Sequence, residues 1–190
     1  DQLIGAAERL RERRDILIAC VGDGPERSRL SDEVKERGLD NIMFCGSVSK
    51  DRMPEVVNAS NVGAAVLQDN PTFRTVYPNK VFDYMSCNRP VLLAIDGAIR
   101  EVVCDGADAG LFAQPEDPDA IASAIVQLAD NPAELDAMAA RGRSYVLEHF
   151  SRPALARRYL TILESLVGTP SRVRRLAPHF LPGHLAHTSP

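Results

Sequence analysis

The sequence contains no tryptophan, carries no excess of basic residues and has no long apolar run. Its net charge of −4 argues against a nucleic-acid-binding protein, for which a basic surface is expected. No stretch reaches the roughly 18 apolar residues of a membrane-spanning helix, and no secretory signal is recognisable. We therefore expect a cytoplasmic protein. The 190 residues, 45% of them apolar, suffice for one domain with a hydrophobic core.

Sites built from cysteine or histidine are also not indicated. The cysteines are widely spaced and form no C-x-x-C pair: Cys20, Cys45, Cys87 and Cys104. We interpret them as small buried residues in a reducing compartment rather than as disulfides or metal ligands. Three histidines stand near the C-terminus: His179, His184 and His187. Their spacing fits no standard metal site, so we predict no metal.

Short apolar runs alternate with segments of helical periodicity, which predicts parallel strands joined by helices. The predicted strands are 16–21, 41–45, 62–67, 90–95 and 109–113, and we expect the first of them to be buried. The predicted helices are 1–14, 25–38, 50–60, 78–88, 98–103, 117–129, 132–150 and 151–167. This order indicates an α/β fold with a doubly wound, Rossmann-like parallel sheet and extra C-terminal helices. We expect one further strand upstream of Asp1, a domain over residues 1–167 and a flexible tail over 168–190.

The predicted helix at 78–88 has a start suited to phosphate. Pro78 fits the first helical position, because it has no N–H to leave unsatisfied. Asn79 and the residues after it would present free backbone N–H groups at the positive end of the helix dipole, and Lys80 adds a full charge. Asp83 lies on the same face as Asn79, one turn further along, where it would reach a ribose hydroxyl. Its apolar neighbours leave it little room to be an ordinary exposed charge. Asn88 suits a left-handed C-terminal cap.

Two strand ends allow both a structural and a functional interpretation. Gly22-Asp-Gly-Pro resembles a dinucleotide fingerprint, but Arg27 occupies the third glycine position, so a nicotinamide or flavin site is not predicted. The segment is either a tight turn or one wall of a nucleotide pocket, because ligands of open α/β sheets bind at the carboxyl ends of strands. Gly46 and Ser47 follow the second strand and allow the same two interpretations.

The stretch 75–91, Thr-Val-Tyr-Pro-Asn-Lys-Val-Phe-Asp-Tyr-Met-Ser-Cys-Asn-Arg-Pro-Val, resembles a motif of retaining glycosyltransferases with the GT-B fold. The motif belongs to their donor-binding half, and the subgroup resembled builds bacterial surface polysaccharides. Segments 21–27, 41–46 and 110–117 agree with this family in kind and order. The resemblance covers roughly residues 1–167.

The resemblance implies roles for several residues. Asp83 stands where the family has a ribose-binding Glu, whereas Thr75 replaces a Glu that contacts the donor sugar. Arg74 becomes a further candidate for binding the anion, and the segment at Gly46 would pass beside the base. The apolar face of the last helix, which in the family crosses onto the partner domain, would lack its natural cover.

The resemblance also implies a function for the chain. It would bind a nucleotide-diphosphate sugar as donor substrate, without cofactor or metal, for transfer to a glycan or lipid-linked acceptor at the inner membrane face. The catalytic residues would lie in an N-terminal acceptor domain outside this sequence, so we predict that the chain alone is inactive. Two alternatives remain, half of a sugar-nucleotide epimerase or a non-catalytic nucleotide-binding α/β module.

Overall fold

The computed structural model describes residues 1–167, in which the strands are short and parallel. They are β1 (Ile18–Val21), β2 (Ile42–Gly46), β3 (Gly63–Val66), β4 (Val91–Ala94) and β5 (Gly110–Phe112). They form two sheets, one of β1 and β2 and one in the order β3–β4–β5. The predicted mixed α/β class with parallel strands is therefore confirmed.

The predicted helices are present, with shorter bounds. They are α1 (Gln2–Arg9), α2 (Arg27–Glu36), α3 (Met53–Asn58), α4 (Asn79–Ser86), α5 (Ala98–Arg100), α6 (Pro118–Ala129), α7 (Pro132–His149) and α8 (Arg152–Val167). Two 3₁₀ turns, Lys50–Arg52 and Phe73–Thr75, precede α3 and α4, and α5 continues as a π-helical turn, Glu101–Gly106. The first helix ends early because the charged run at 11–15 offers no apolar residue to hold a further turn on the core.

The described chain divides into two compact units, of which Asp1–Ser151 is the larger. The second unit begins at Arg152 and contains α8. Several large apolar side chains of this helix are exposed: Leu155, Tyr159, Ile162, Leu163 and Leu166. The predicted tail 168–190, with its three histidines, lies outside the described residues.

Helix α1 belongs to the core of both sheets. Its Ala6 and Leu10 pack in the hydrophobic cluster that contains residues of β4. Its Ile4 and Ala7 pack in the cluster that contains Ile42 of β2. The side-chain amide of the buried Asn41 also donates a hydrogen bond to the Ala7 carbonyl, at 2.8 Å. One helix therefore holds the two sheets in a fixed relation.

The first strand is less buried than expected. All four residues of β4 are buried, whereas no residue of β1 is. Leu17, immediately before β1, is 60% exposed. The expectation of a buried strand was wrong, because the cover of β1 is incomplete: Ile18 and Cys20 pack against the cluster that contains Ile4 and Ala7, whereas Ala19 on the other face is exposed.

The cysteines are free, as predicted, but they are not fully buried. Cys45 is exposed on the alternating strand β2, and the other three are half-buried. Burial raises the pKa of the Cys20 thiol and raises the pKa of Cys104 to about 11.

Two predicted helix caps are confirmed. Asp117 accepts hydrogen bonds from the backbone N–H groups of Asp119 and Ala120, both at 3.0 Å, at the start of α6. Asn88, beyond the end of α4, has a left-handed φ of 58°. No helix within residues 1–167 combines the length and the apolar character needed to cross a bilayer.

Candidate functional site

The position of α4 is fixed by its inner face. Val81 and Met85, one turn apart, are completely buried. The ring of Tyr84 lies over Gly63 of β3, and a Cβ atom added at Gly63 would stand within 2.7 Å of three ring atoms. Tyr84 also donates a hydrogen bond to the Ala64 carbonyl at 3.4 Å. The helix is thereby seated on β3, and Phe82 packs against Phe150, with ring centroids 4.9 Å apart.

The first turn of α4 leaves a positive helix end without compensation. Pro78 is the N-cap residue, with an extended ψ of 124°, and not the first helical residue as predicted. Its carbonyl accepts the first helical hydrogen bond, from Val81 N–H at 3.0 Å. The N–H groups of Asn79 and Lys80 therefore precede the helical ladder. No side chain caps this end, and its first turn contains no acidic residue.

The side chains proposed to hold a ligand lie on the solvent side of α4. Asn79, Lys80 and Asp83 are all exposed. The expectation that Asp83 has little room to be exposed was wrong, because Val81 and Met85 turn the apolar face inward. No hydrogen bond or ion pair of the described residues occupies the Lys80 ammonium or the Asp83 carboxylate. Burial, and next the Asp83 charge, raises the pKa of Tyr84.

In the loop before α4, Arg74 is paired with a carboxylate of the same loop. The Arg74 guanidinium forms two hydrogen bonds of 2.9 Å with the Asp69 carboxylate, so its charge is already balanced within the loop. Arg74 correspondingly lowers the pKa of Asp69. Thr75 is exposed, and its hydroxyl donates to the Thr72 carbonyl at 2.9 Å. In this arrangement Arg74 is a weaker candidate for anion binding than Lys80.

The same loop rests on the turn that follows β4. Gly97 has a φ of 87°, and a Cβ atom added there would stand 2.8 Å from the carbonyl carbon of Arg74. Asp96 accepts a hydrogen bond from Gly97 N–H at 2.9 Å and pairs with Arg100 at 3.3 Å. These contacts, the Gly97 hydrogen bond first, lower the pKa of Asp96. The turn thus supports the approach to α4.

A second group of predicted residues lies at the carboxyl ends of β1 and β2. Gly22 N–H donates to the Gly46 carbonyl at 2.8 Å, and the two glycines have φ values of 140° and 75°. The Arg27 guanidinium lies over Gly46, 3.4 Å from the position that a Cβ atom would take. Arg27 also approaches Asp23 at 3.8 Å. Ser47, the next residue along, is exposed.

The start of α1 stands between the two groups. The Gln2 side chain donates to the Leu67 carbonyl, just after β3, at 3.0 Å, and accepts from Glu116 N–H at 2.7 Å. Asp1 accepts from Arg29 of α2 at 2.9 Å. No described hydrogen bond joins the α4 group directly to the β1–β2 group. Within residues 1–167 there is also no cluster of three or more potential metal-ligating side chains.

Three residues that shape these surfaces were not found from the sequence. In the sequence Arg27 stood out only as a departure from the dinucleotide fingerprint. An arginine directly after a glycine-rich turn can nevertheless indicate an anion-binding site. Asp69 carries no local pattern that predicts its pairing with Arg74. Gly97 follows an Asp at the end of an apolar strand, a combination typical of a special turn.

The family of the chain is shown by its sequence. A family model described as glycosyl transferases group 1 matches residues 1–131. This chain belongs to the group 1 glycosyltransferases. The recognition of a GT-B glycosyltransferase from its motifs is thus confirmed.

Two curated relatives are a glucosyltransferase and a mannosyltransferase. The chain is 28% identical over 138 residues to 2-deoxystreptamine glucosyltransferase of Streptomyces kanamyceticus, covering 72% of this chain and 34% of that protein. It is 26% identical over 175 residues to a GDP-mannose-dependent monoacylated phosphatidylinositol monomannoside mannosyltransferase of Corynebacterium glutamicum, covering 87% and 43% respectively. The chain therefore spans less than half the length of either relative.

Solved structures have the same fold. Anabaena HepE in complex with UDP-glucose is similar at a TM-score of 0.72 and 19% identity, over 86% of this chain and 44% of that one. Sucrose-phosphate synthase from Thermosynechococcus elongatus is similar at a TM-score of 0.70 and 23% identity, over 87% and 41%. The Rossmann-like architecture is confirmed by these similarities.

Proposed function

We propose that this chain is the donor-binding half of a glycosyltransferase and holds the diphosphate of a nucleotide sugar at the start of α4. The observation that carries the proposal is the uncompensated positive end of this helix. Its first N–H groups are outside the helical ladder, no carboxylate lies in its first turn, and the adjacent Lys80 has no described ion-pair partner. An anion is what such an arrangement stabilises.

The chemistry of donor cleavage explains the value of this arrangement. When the glycosidic bond to the diphosphate breaks, negative charge grows on the departing phosphate oxygens. Backbone N–H groups and an ammonium fixed in place beforehand stabilise that charge without reorganisation, a role that needs no metal. Lys80 would supply the full charge, and Asp83, one turn further along, would accept from a ribose hydroxyl. HepE, a solved relative, is described in complex with UDP-glucose.

We propose no particular donor sugar, and for the acceptor we propose only a class of molecule. Thr75 takes the position of a sugar-contacting Glu, so hexose choice rests with other residues of the complete enzyme. We propose a glycan or lipid-linked acceptor in surface-polysaccharide synthesis, held by a separate acceptor domain. The chain of 190 residues is accordingly proposed to bind donor without transferring its sugar, and turnover of a nucleotide sugar by the pure chain would contradict this.

Calorimetry with UDP, GDP and ADP tests the donor site. We expect one base to be preferred, and Lys80→Ala or Asp83→Ala to weaken binding roughly 10- to 100-fold, as for loss of a charge-assisted hydrogen bond. Lys35→Ala and Asp136→Ala are matched controls, because both side chains are exposed on other helices. They are expected to leave binding unchanged.

The outcomes separate the alternatives. Binding that is lost only in the two α4 variants supports the donor site, and binding that persists after treatment with EDTA supports metal independence. Absence of binding by any of the three nucleotides favours a non-catalytic α/β module that has lost its nucleotide site. Conversion of a nucleotide sugar to its epimer by a longer chain favours the epimerase alternative.

A further inference from the structure

Arg27 is the first residue of α2 and lies where β1 and β2 end. Its backbone N–H donates to the Gly24 carbonyl at 3.1 Å, so the turn after β1 places this arginine at the start of the helix. Its guanidinium reaches across to Gly46, the last residue of β2. The side chain therefore stands at the carboxyl ends of two parallel strands, the edge at which open α/β sheets bind ligands.

The guanidinium of Arg27 rests on Gly46 with its flat face. Its Nη2, Cζ and Nη1 atoms lie 3.4, 3.7 and 3.8 Å from the position that a Cβ atom would take at Gly46. Three such similar distances place that position above the plane of the group rather than beyond its edge. One face of the guanidinium is thus backed by the end of β2.

Little else holds the guanidinium. Among residues 1–167 it makes no hydrogen bond, and its ion pair with Asp23 is long, at 3.8 Å. The Arg27 side chain is 42% exposed. The turn before it also leaves open space, since a Cβ atom added at Gly22 or Gly24 would have no atom within 4 Å. A flat cationic surface, supported from behind by Gly46, is therefore accessible to a ligand.

The neighbouring charges of α2 are paired with one another. Glu26 pairs with Arg29 at 2.6 Å, and Arg29 pairs further with Glu33 and Asp1, at 3.1 and 2.9 Å. Arg27 stands outside this network and places a positive charge in the first turn of α2, which contains no acidic residue. A cation there opposes the helix dipole. Local conflicts of this kind are typical of functional positions.

We propose that Arg27 is the platform on which the base of the bound nucleotide stacks. The role rests on the nucleotide-sugar site proposed above. A planar π system is the ligand group that matches an accessible guanidinium face, because arginine stacks on such rings and adds a cation–π attraction. A phosphate would instead bind in the plane of the group, through its N–H donors. Arg27 would thus hold the base, while Lys80 holds the diphosphate.

Calorimetry on the chain of 190 residues tests the platform, with UDP, GDP and ADP as probes and inorganic pyrophosphate as competitor. Arg27→Ala should weaken binding of the preferred nucleotide roughly 5- to 30-fold, because the stacking surface is lost. Binding of pyrophosphate, which has no base, should stay within about 2-fold. Retained pyrophosphate binding also shows that the variant is folded.

Two further variants separate stacking from charge. Arg27→Lys keeps the positive charge without the planar group and should lose most of the same nucleotide affinity. Arg14→Ala is the matched control, because Arg14 is exposed, pairs with Asp40 and lies before β1, at the opposite end of that strand. It should change the binding of neither probe.

The results distinguish a failure of the platform from a failure of the donor site. Absence of binding by all three nucleotides would overturn both. Nucleotide binding that Lys80→Ala weakens and Arg27→Ala leaves unchanged would overturn the platform alone. Equal losses of nucleotide and pyrophosphate in Arg27→Ala, restored in Arg27→Lys, would make Arg27 a phosphate ligand and would likewise overturn the platform.

Discussion

The carbonyl group of Arg74 packs directly against Gly97, in the space that a side chain would fill at that position. Gly97→Ala should destabilise the fold by more than about 2 kcal/mol, because the φ of 87° strains a non-glycine residue and the new methyl group overlaps backbone. Urea unfolding followed by circular dichroism measures this change. Gly24→Ala is the matched control, with no atom within 4 Å of the added Cβ, and should stay within about 0.5 kcal/mol.

Tyr84 and Gly63 should behave as a coupled pair. Gly63→Ala forces the Tyr84 ring to move, since the added Cβ would stand within 2.7 Å of it. In the Tyr84→Ala background the same change should be much less harmful. A double-mutant cycle on the free energy of unfolding is expected to give a coupling of about 0.5–3 kcal/mol. Additive effects of the two substitutions would contradict the contact.

Met85 should contribute strongly to the seating of α4. The side chain is completely buried, so Met85→Ala leaves a cavity and should cost about 2–5 kcal/mol. Leu147→Ala, on the 54% exposed Leu147, is the control and should change stability by about 0.5 kcal/mol or less. Thermal unfolding monitored by calorimetry distinguishes the two, and equal shifts in Tm would contradict the assigned burial.

The cysteines should react in an order that follows burial. Cys45 is exposed and should be labelled first by a thiol reagent at pH 8. Cys104 should react last, because burial raises its pKa to about 11 and little of the reactive thiolate is present at that pH. Mass spectrometry of the labelled peptides over time reports the order. Cys45→Ser should abolish the fastest phase alone, and early labelling of Cys104 would contradict the prediction.

The sequence predicted the order and kind of the elements because that information is local. Apolar runs such as 90–95 are bounded by turn residues, and helix caps such as Asp117 act on their own first turn. The helix predicted over residues 1–14 ends at Arg9 in the structure, so hydrophobic periodicity alone does not determine where a helix ends. A helix ends where its side chains no longer find a core, and that depends on other segments.

The site was predictable in outline and not in its contacts. The start of α4 could be inferred from Pro78, Asn79 and Lys80, since dipole and capping are properties of consecutive residues. The pairing of Arg74 with Asp69 could not, because two residues five positions apart in a loop meet only in one particular loop conformation. The exposure of Asp83 also depends on the rotation of α4 about its own axis where it packs on β3.

The open edge of β1 has a further consequence for handling the protein. An unpaired strand edge is a template for hydrogen bonding with any extended chain, and here it lies next to the exposed, apolar Leu17. We therefore expect concentrated solutions of this chain to aggregate edge to edge. Placing a lysine at position 17 would oppose such stacking by charge repulsion while leaving the core of the fold untouched.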